Sequence, residues 1–303
     1  MEQRQWSGGT QGSLWMHRML IWLLKVLNLR FVYLGMALFV VPFYMLFAHK
    51  GYIAQYHYFR RRLGYGLWQA FCGVYMNHYR FGQVIIDRFA AYAGRRFEFS
   101  LDGYDVFCQL CRQPEGLLVL SSHVGNYELA GYAFKATAKR FNMLLLADGA
   151  PMVTAYRQRL LSQNNIRMIP IADDLSHLFL LNEALADGEI VSMAADRIFG
   201  SPRSVSCPLL GADARFPLGP FVLAVQRQVP VLVTFVMKES AYRYKVCIRR
   251  VETGTGSTCR EQAEQVAQRY VRELETILRQ YPDQWFNYYD FWNDYGTDKS
   301  GTN

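Results

Sequence analysis

One short stretch, Ser121 to Glu128, combines side chains that can move a proton. His123 stands five residues before Glu128, directly after the apolar run Gly116–Ser121. A carboxylate on one imidazole nitrogen fixes the tautomer and makes the other nitrogen a better proton acceptor, as a general base requires. The spacing therefore predicts a His–Glu pair that takes a proton from a hydroxyl, an amine or water. The competing interpretation is a surface histidine beside an acid at the start of a helix.

The residues around His123 indicate where such a pair would lie. The apolar run predicts a strand and Tyr127 begins a helical pattern, so His123 falls at the carboxyl edge of a strand, where open α/β sheets bind ligands. On one continuous helix the two side chains would point about 140° apart, whereas a turn before the helix can bring them together. Gly125 allows close approach of the backbone, and the helix start supplies amide groups for a developing oxyanion. Asn126 is a predicted substrate-binding residue in this turn.

Asp196 and Arg197 form a second candidate, because they follow another predicted strand, Ile190–Ala194. A guanidinium there can clamp a phosphate or a thioester oxygen through two hydrogen bonds. A purely structural Asp–Arg pair on a loop explains the same residues equally well.

The chain from Phe97 onward alternates short apolar runs with segments of helical period. This alternation predicts an α/β fold over residues 96–303, with a mostly parallel central sheet flanked by helices. The predicted strands are Gly116–Ser121, Phe141–Leu146, Ile166–Ile171, Ile190–Ala194, Val229–Val236 and Tyr242–Val251. The predicted helices are Tyr127–Ala138, Met152–Ser162, Leu175–Ala186, Gly219–Gln228 and Thr258–Gln280.

Residues 1–95 are expected to form a hydrophobic helical region that anchors the protein to a membrane. Residues 1–100 carry 12 Lys/Arg against 3 Asp/Glu, whereas the remainder carries 21 against 22. Phe31–Ala48 has 18 residues without a charge, roughly 27 Å of helix and the lower limit for crossing a bilayer. Pro42 predicts a kink in it. A span and a kinked segment in one leaflet are both compatible with this pattern, and a buried helix pair of a soluble protein is the alternative.

Several other chemistries lack their motifs. Basic residues interleaved with long apolar runs suit lipid better than nucleic acid. Of the six cysteines only Cys108 and Cys111 are closely spaced; no nearby histidine completes a metal site, and we expect both thiols on a helix. There is no G-x-S-x-G elbow to support Ser121 or Ser122 as a nucleophile. Common dinucleotide and NTP motifs are absent from the sequence.

The H-x-x-x-x-E pattern after a strand resembles the signature of the lysophospholipid acyltransferase superfamily. The chain is most similar to the lipid A biosynthesis (lauroyl/myristoyl) acyltransferase branch, over nearly its whole length. Leu209–Val233 is similar to the third block of that branch, in which Phe216 and Gly219 match. Leu218 stands where glycerol-phosphate acyltransferases have Glu, which disfavours a glycerol 3-phosphate acceptor.

The resemblance implies direct acyl transfer with no metal, no cofactor and no covalent acyl-enzyme. It makes His123 and Glu128 catalytic, and it assigns Arg157 to a block that contacts a phosphate-bearing ligand, although a solvated helix charge explains Arg157 equally well. Phe216 and Gly219 would shape the substrate site. The donor would be an acyl carrier protein or acyl-CoA thioester. The acceptor would be a hydroxyl or amine of a lipid, such as a lipid A precursor, at the cytoplasmic face of the inner membrane.

Two rival functions use the same residues differently. A membrane-bound lipid hydrolase would use His123 to activate water, and a non-catalytic relative would act as a membrane partner protein. The aromatic tail Tyr288–Trp292 would line an acyl-chain groove, contact the lipid interface, or simply pack against the domain.

Overall fold

The α/β region is built on strands that a computed structural model places as follows: β1 Glu98–Asp102, β2 Leu117–Ser121, β3 Phe141–Leu145, β4 Ile166–Pro170, β5 Ile190–Ala194, β6 Ser204–Leu209, β7 Ala212–Pro217, β8 Val231–Lys238 and β9 Arg243–Val251. The structure describes residues 14–47, 49–129, 139–145, 165–172, 174–198 and 203–293. Within these ranges seven strands form one sheet in the order β1-β9-β8-β2-β5-β3-β4, and β6 and β7 form a separate hairpin.

The predicted α/β class with a mostly parallel sheet is confirmed. Only β8 and β9 pair antiparallel within the large sheet; the other neighbouring pairs are parallel. The strands predicted from apolar runs are present with bounds shifted by at most two residues. Strand β1 and the hairpin were not predicted, because β1 is a largely exposed edge strand and Pro208 interrupts the pattern of β6. Leu210 and Gly211 form the hairpin turn, both at positive φ, as two-residue turns require.

The described helices are α1 Leu14–Val26, α2 Leu29–Gly35, α3 Val41–Phe47, α4 His49–His57, α5 Leu67–Tyr92, α6 Tyr104–Cys111, α7 Ser176–Ala186, α8 Gly219–Arg227 and α9 Cys259–Gln280. Two π-helical turns, Met36–Val40 and Tyr58–Arg62, and two 3₁₀ turns, Tyr127–Leu129 and Pro282–Gln284, complete them. Helix α9 begins where it does because Thr258 and Glu261 cap each other's backbone amides. The predicted helix Met152–Ser162 lies outside the described residues, as does Tyr127–Ala138 beyond Leu129.

Both faces of the sheet are buried, which explains why its central strands read as continuous apolar runs. Along β2, Leu118 and Leu120 point to a core formed with α7, α8 and α9. Leu117 and Val119 point to the opposite core, which α6 and the end of α5 cover. The end of β2 is thereby fixed from both sides.

The N-terminal helices pack on α5 through a narrow stripe. Leu29, Tyr33, Met36 and Val41 are buried there with Phe89 of α5. The five-residue step from Met36 to Val41 is one π-helical turn, which keeps the stripe in phase directly before Pro42. The π turn ends two residues before Pro42, the residue at which the sequence predicts a kink.

The opposite side of these helices is a bare apolar face. Its side chains are more than one third exposed: Met19, Trp22, Val26, Phe31, Leu34, Leu38, Phe39, Val40, Phe43, Tyr44, Leu46 and Phe47. Leu29–Phe47 has a mean hydropathy of 1.8 and is long enough to cross a membrane, with 22% of it buried. A core helix of a soluble protein meets the same length and composition criterion but is mostly buried.

A buried ion pair joins the helical region to the sheet. Asp87 of α5 accepts hydrogen bonds from Lys238 at the end of β8, from Tyr33 of α2 and from Tyr244 of β9. All four side chains are buried. Burial raises the pKa of Asp87 and lowers the pKa of Lys238, against the attraction between them. Each charge is therefore stable in the interior only with its partner present.

Asp87→Ala is expected to lower the free energy of unfolding by about 3 kcal/mol or more, because it leaves the Lys238 ammonium buried without a carboxylate. Denaturant unfolding of the detergent-solubilised protein measures this. The matched control is Glu264→Ala, which breaks the exposed pair with Arg260 at 2.9 Å and should cost under about 1 kcal/mol. Equal losses in the two variants would show that Asp87 and Lys238 do not depend on each other.

Candidate active site

The geometry of the sheet brings His123 and Asp196 together. Strands β2 and β5 are parallel neighbours with Ser121 opposite Ala194, and the Ala195 amide donates to the Ser121 carbonyl at 2.9 Å. The residues that follow each strand leave the sheet at the same edge. There the His123 Nδ1 lies 2.8 Å from Asp196 Oδ1, and the His123 backbone amide donates to Asp196 Oδ2 at 2.9 Å.

Asp196 is an ionised carboxylate in a closed position. Its side chain is 1% exposed, whereas the His123 side chain is 26% exposed. Burial opposes ionisation of Asp196, but the charge and hydrogen bonds of His123, together with the Arg197 charge, outweigh it and hold the pKa of the carboxyl below its usual value. An ionised carboxylate only accepts hydrogen bonds, so the His123 Nδ1 that bonds to it carries a proton. The arrangement orients the imidazole for proton transfer at Nε2.

The backbone around His123 is fixed by two neighbouring segments. Its carbonyl accepts a hydrogen bond from the Phe286 amide at 3.1 Å, and Val124 forms an antiparallel bridge with Trp285. The Tyr127 ring meets the imidazole edge-on, with 5.7 Å between centroids. The ring is thus held from the sheet side and from the C-terminal segment.

Gly125 is required at its position. Its φ is +61°, and a Cβ there would lie 2.1 Å from the Val236 carbonyl oxygen. The close approach allows the Gly125 amide to donate to Gln284 at 2.8 Å and the Asn126 amide to donate to Val236 at 2.7 Å. These two amides and that of His123 are therefore engaged inside the protein. The amides at the start of the helix, which the sequence predicts as oxyanion donors, are a separate set.

Glu128 lies in a different place from the one expected. Its carboxylate forms an ion pair with Arg88 of α5, at 2.9 Å from Nε, and the carboxylate that bonds to a ring nitrogen of His123, at Nδ1, is that of Asp196. The reason is that Tyr127–Leu129 forms a 3₁₀ turn against α5, whereas the pairing of β2 with β5 delivers Asp196 directly to the ring. Sequence spacing could not show this, because the two residues are 73 positions apart.

The predicted substrate-binding residues have the following surroundings. Asn126 is buried, and its amide group donates to the Tyr244 hydroxyl at 3.3 Å. Arg197 donates to the Phe286 carbonyl at 2.8 Å and lies over the Tyr289 ring. It therefore fastens the C-terminal segment beside Asp196. Arg157 lies outside the described residues.

Phe216 and Gly219 belong to the wall below the site. Phe216, at the end of β7, is fully buried with its ring against those of Tyr270 and Phe291. Gly219 is the first residue of α8. Tyr270 in turn donates a hydrogen bond to the Ser121 carbonyl at 3.0 Å, directly before the site. Phe216 contributes packing in this structure.

The sequence analysis did not identify two features that hold the site, the segment 282–292 and the polar side of α5. Residues 282–292 pass between α5 and the His123 turn, and their carbonyls accept hydrogen bonds from buried amide side chains, Asn77 to Trp285 at 2.8 Å and Gln55 to Asn287 at 2.7 Å. The long helix α5 carries these polar contacts on one side, at Asn77, Arg80, Asp87 and Arg88. Asn77, Arg80, Gln83 and Asp87 recur every three to four residues in an apolar helix, and this spacing was the signal available in the sequence.

In the described part of the chain, no three or more His, Cys, Asp or Glu side chains lie close enough together to hold a metal ion. Cys108 and Cys111 lie on α6, half-buried and without a disulfide, as expected for thiols on a helix.

Comparison with known families identifies the family of this chain. The model of the family described as bacterial lipid A biosynthesis acyltransferase matches residues 81–293, well over half of the chain, and includes both His123 and Asp196. The chain therefore belongs to that family. Membership makes it an acyltransferase that acts on lipid. No curated protein matches the chain closely enough to serve as a relative.

The pairing of Asp196 with His123 should appear in the pH dependence of stability. Because the folded-state pKa of Asp196 is depressed, its contribution is present above the unfolded carboxyl pKa of about 4 and is lost as the pH falls through the folded value. The difference in unfolding free energy between the wild type and Asp196→Asn is expected to stay level above a pH of about 4 and to shrink as the pH falls from there to about 2. A difference that stays constant across this range would contradict an ionised Asp196.

Proposed function

We propose that this protein transfers a fatty acyl chain from a carrier thioester to a hydroxyl or amine of a lipid acceptor, with His123 as general base. The observation that carries the proposal is an imidazole that is bonded at Nδ1 to a buried, ionised Asp196 while its side chain remains 26% exposed. A carboxylate on one ring nitrogen makes the other nitrogen a better proton acceptor, as a general base requires.

The proposed reaction is one displacement at the thioester carbonyl. Nε2 of His123 takes the proton from the acceptor while the acceptor oxygen or nitrogen forms a bond to the acyl carbon. The carbon–sulfur bond then breaks, and the proton passes from the imidazolium to the departing thiolate. The products are the acylated lipid and the free carrier thiol, with no acyl-enzyme. Asp196 stabilises the imidazolium during the transfer, as the carboxylate of a Ser-His-Asp triad does.

Two carboxylates compete for the role of orienting His123. The H-x-x-x-x-E block favours Glu128, and the hydrogen-bond geometry favours Asp196. We assign the orientation of the ring to Asp196. Glu128 then acts from its ion pair with Arg88, which fixes the turn after His123 against α5. Arg157 is proposed to contact a phosphate-bearing ligand, and Arg197 to hold the aromatic tail that borders the site.

The acceptor is proposed to reach the site from the cytoplasmic face of the inner membrane. The bare apolar face of α1 to α3 would rest in the lipid, since apolar patches of this extent are rarely left to water. It lies within residues 1–100, which carry the excess of Lys and Arg, and this positive charge attracts anionic lipid. A lipid A precursor or a similar lysolipid or glycolipid is the proposed acceptor.

An acyl carrier protein is the proposed donor, with acyl-CoA as the other form of the thioester. Carrier helices are acidic, and residues 1–100 have nine more basic than acidic side chains. Charge complementarity of this kind increases the association rate and selects the partner.

Acyl-transfer activity should show which of the two carboxylates, Asp196 or Glu128, orients His123. Transfer of labelled acyl groups from acyl carrier protein to extracted lipid is expected to fall about 10³-fold or more in His123→Ala and Asp196→Asn, because the asparagine favours the wrong tautomer. Glu128→Gln is expected to lose less, about 10- to 100-fold, since it weakens only the pair with Arg88. All three should remain membrane-bound. An active Asp196→Asn beside an inactive Glu128→Gln would reverse the assignment, and release of free fatty acid without acylated lipid would indicate a hydrolase.

Membrane association should depend on the bare apolar face. The triple substitution Phe31→Gln, Phe39→Gln and Phe43→Gln is expected to move the protein from the membrane pellet to the soluble fraction, since each buried phenylalanine contributes about 1.5–3 kcal/mol. These side chains are exposed, so the core stripe stays intact, which a deletion of residues 1–50 would not allow. The matched control replaces the exposed Leu175, Leu178 and Phe179 and should leave the protein in the pellet. A triple variant that still pellets would refute the anchor.

A further inference from the structure

One hydrogen bond from the Asn126 side chain connects the catalytic turn to the buried ion pair. The side-chain amide of Asn126 donates to the Tyr244 hydroxyl at 3.3 Å, and that hydroxyl donates to Asp87. Asn126 and Tyr244 are both almost completely inaccessible. Neither side chain can therefore contact the lipid substrate in this structure, although Asn126 is only three residues from His123.

The Tyr244 hydroxyl has little freedom to move. Tyr244 stands on β9, and Asp87 is also held by Lys238 and by Tyr33. A phenol that is fixed at its ring by packing and at its oxygen by a carboxylate is a rigid acceptor for the Asn126 amide. The position of the Asn126 side chain is consequently set by α5 and β9.

A second connection from Lys238 reaches the same turn through the backbone. The Lys238 amide donates to the Gln284 side chain at 2.8 Å, and the Gln284 side-chain amide donates back to the Lys238 carbonyl at 2.9 Å. The Gln284 carbonyl then accepts the Gly125 amide. Gly125 and Asn126 are thus both fastened to the ion pair, one through its backbone and one through its side chain.

We propose that Tyr244 and Asn126 are positioning residues for the reaction. Anchored by Asp87, they fix the turn that follows His123 and keep the imidazole aligned with Asp196. This inference rests on the proposed function of His123. It adds two residues that act on the reaction through the position of the imidazole ring. It also reassigns Asn126 from substrate contact to alignment of the base.

The structure offers a matched pair of hydroxyl deletions as the test. Tyr244→Phe and Tyr33→Phe each remove one hydrogen bond to the same Asp87, but only Tyr244 contacts Asn126. Both are expected to lose similar stability. Tyr244→Phe is expected to lower kcat about fivefold to tenfold with unchanged KM, the effect of one hydrogen bond. Tyr33→Phe should keep the wild-type kcat, because Lys238 still holds Asp87 against Tyr244. Equal kcat values in the two variants would overturn the proposal.

A double-mutant cycle isolates the contact itself. If Tyr244 acts through Asn126, the double variant Tyr244→Phe, Asn126→Ala should be no slower than Asn126→Ala alone. Additive losses in kcat would show that Tyr244 acts by another route and would contradict the proposal.

A spectroscopic measurement separates this inference from the proposed activity. In full-length protein with ¹⁵N-labelled histidine in detergent micelles, the His123 Nδ1 proton is expected downfield, because it is bonded to a carboxylate. That resonance should shift or broaden in Tyr244→Phe and remain unchanged in Tyr33→Phe, whether or not the protein transfers acyl groups. An unchanged resonance in Tyr244→Phe would refute the alignment role. Absence of acyl transfer in the wild type would refute the proposed function alone.

Discussion

The hydrogen-bonded pair of His123 and Asp196 depends on the register between two parallel strands. Because β2 and β5 pair with Ser121 opposite Ala194, the residues just beyond each strand emerge side by side at the same edge of the sheet. Asp196 then accepts from both the backbone and the ring of His123. A shift of β5 by one residue would turn the carboxylate to the other face. The buried apolar faces of both strands oppose such a shift, so the hydrophobic core keeps the proton-transfer geometry in place.

Helix α9, the C-terminal segment and the polar side of α5 each hold a different part of the structure around this pair. Helix α9 supports the end of β2 through Tyr270, while the C-terminal segment bonds to the backbone of the His123 turn. The polar side of α5 holds that segment and the turn together. The N-terminal helices, the long helix and the sheet consequently form one structure around the site. A helical region that served only as an anchor would not need the buried contact of Tyr33 with Asp87.

The fold also explains how an enzyme of this family can keep its histidine partly exposed to solvent while the partner carboxylate is buried. The imidazole is partly exposed, whereas its carboxylate is enclosed and remains ionised because His123 and Arg197 compensate for its burial. The bare face of α1 to α3 stands apart from this polar centre in the same helical region that contributes Tyr33.

The sequence by itself determined the elements with a clear period and the residue at the centre of the site. Apolar runs identified β2, β3, β4, β5, β8 and β9, helical periods identified α7, α8 and α9, and the position of His123 after a buried strand identified it as the candidate base. These are local properties, since burial on both faces or on one stripe leaves its pattern in consecutive residues. Tertiary structure alone decided that Asp196 rather than Glu128 holds Nδ1, and that Asn126 turns inward to Tyr244. Both outcomes depend on which strands lie next to each other and on how α5 crosses them, and contacts between residues so far apart in the chain leave no spacing to read.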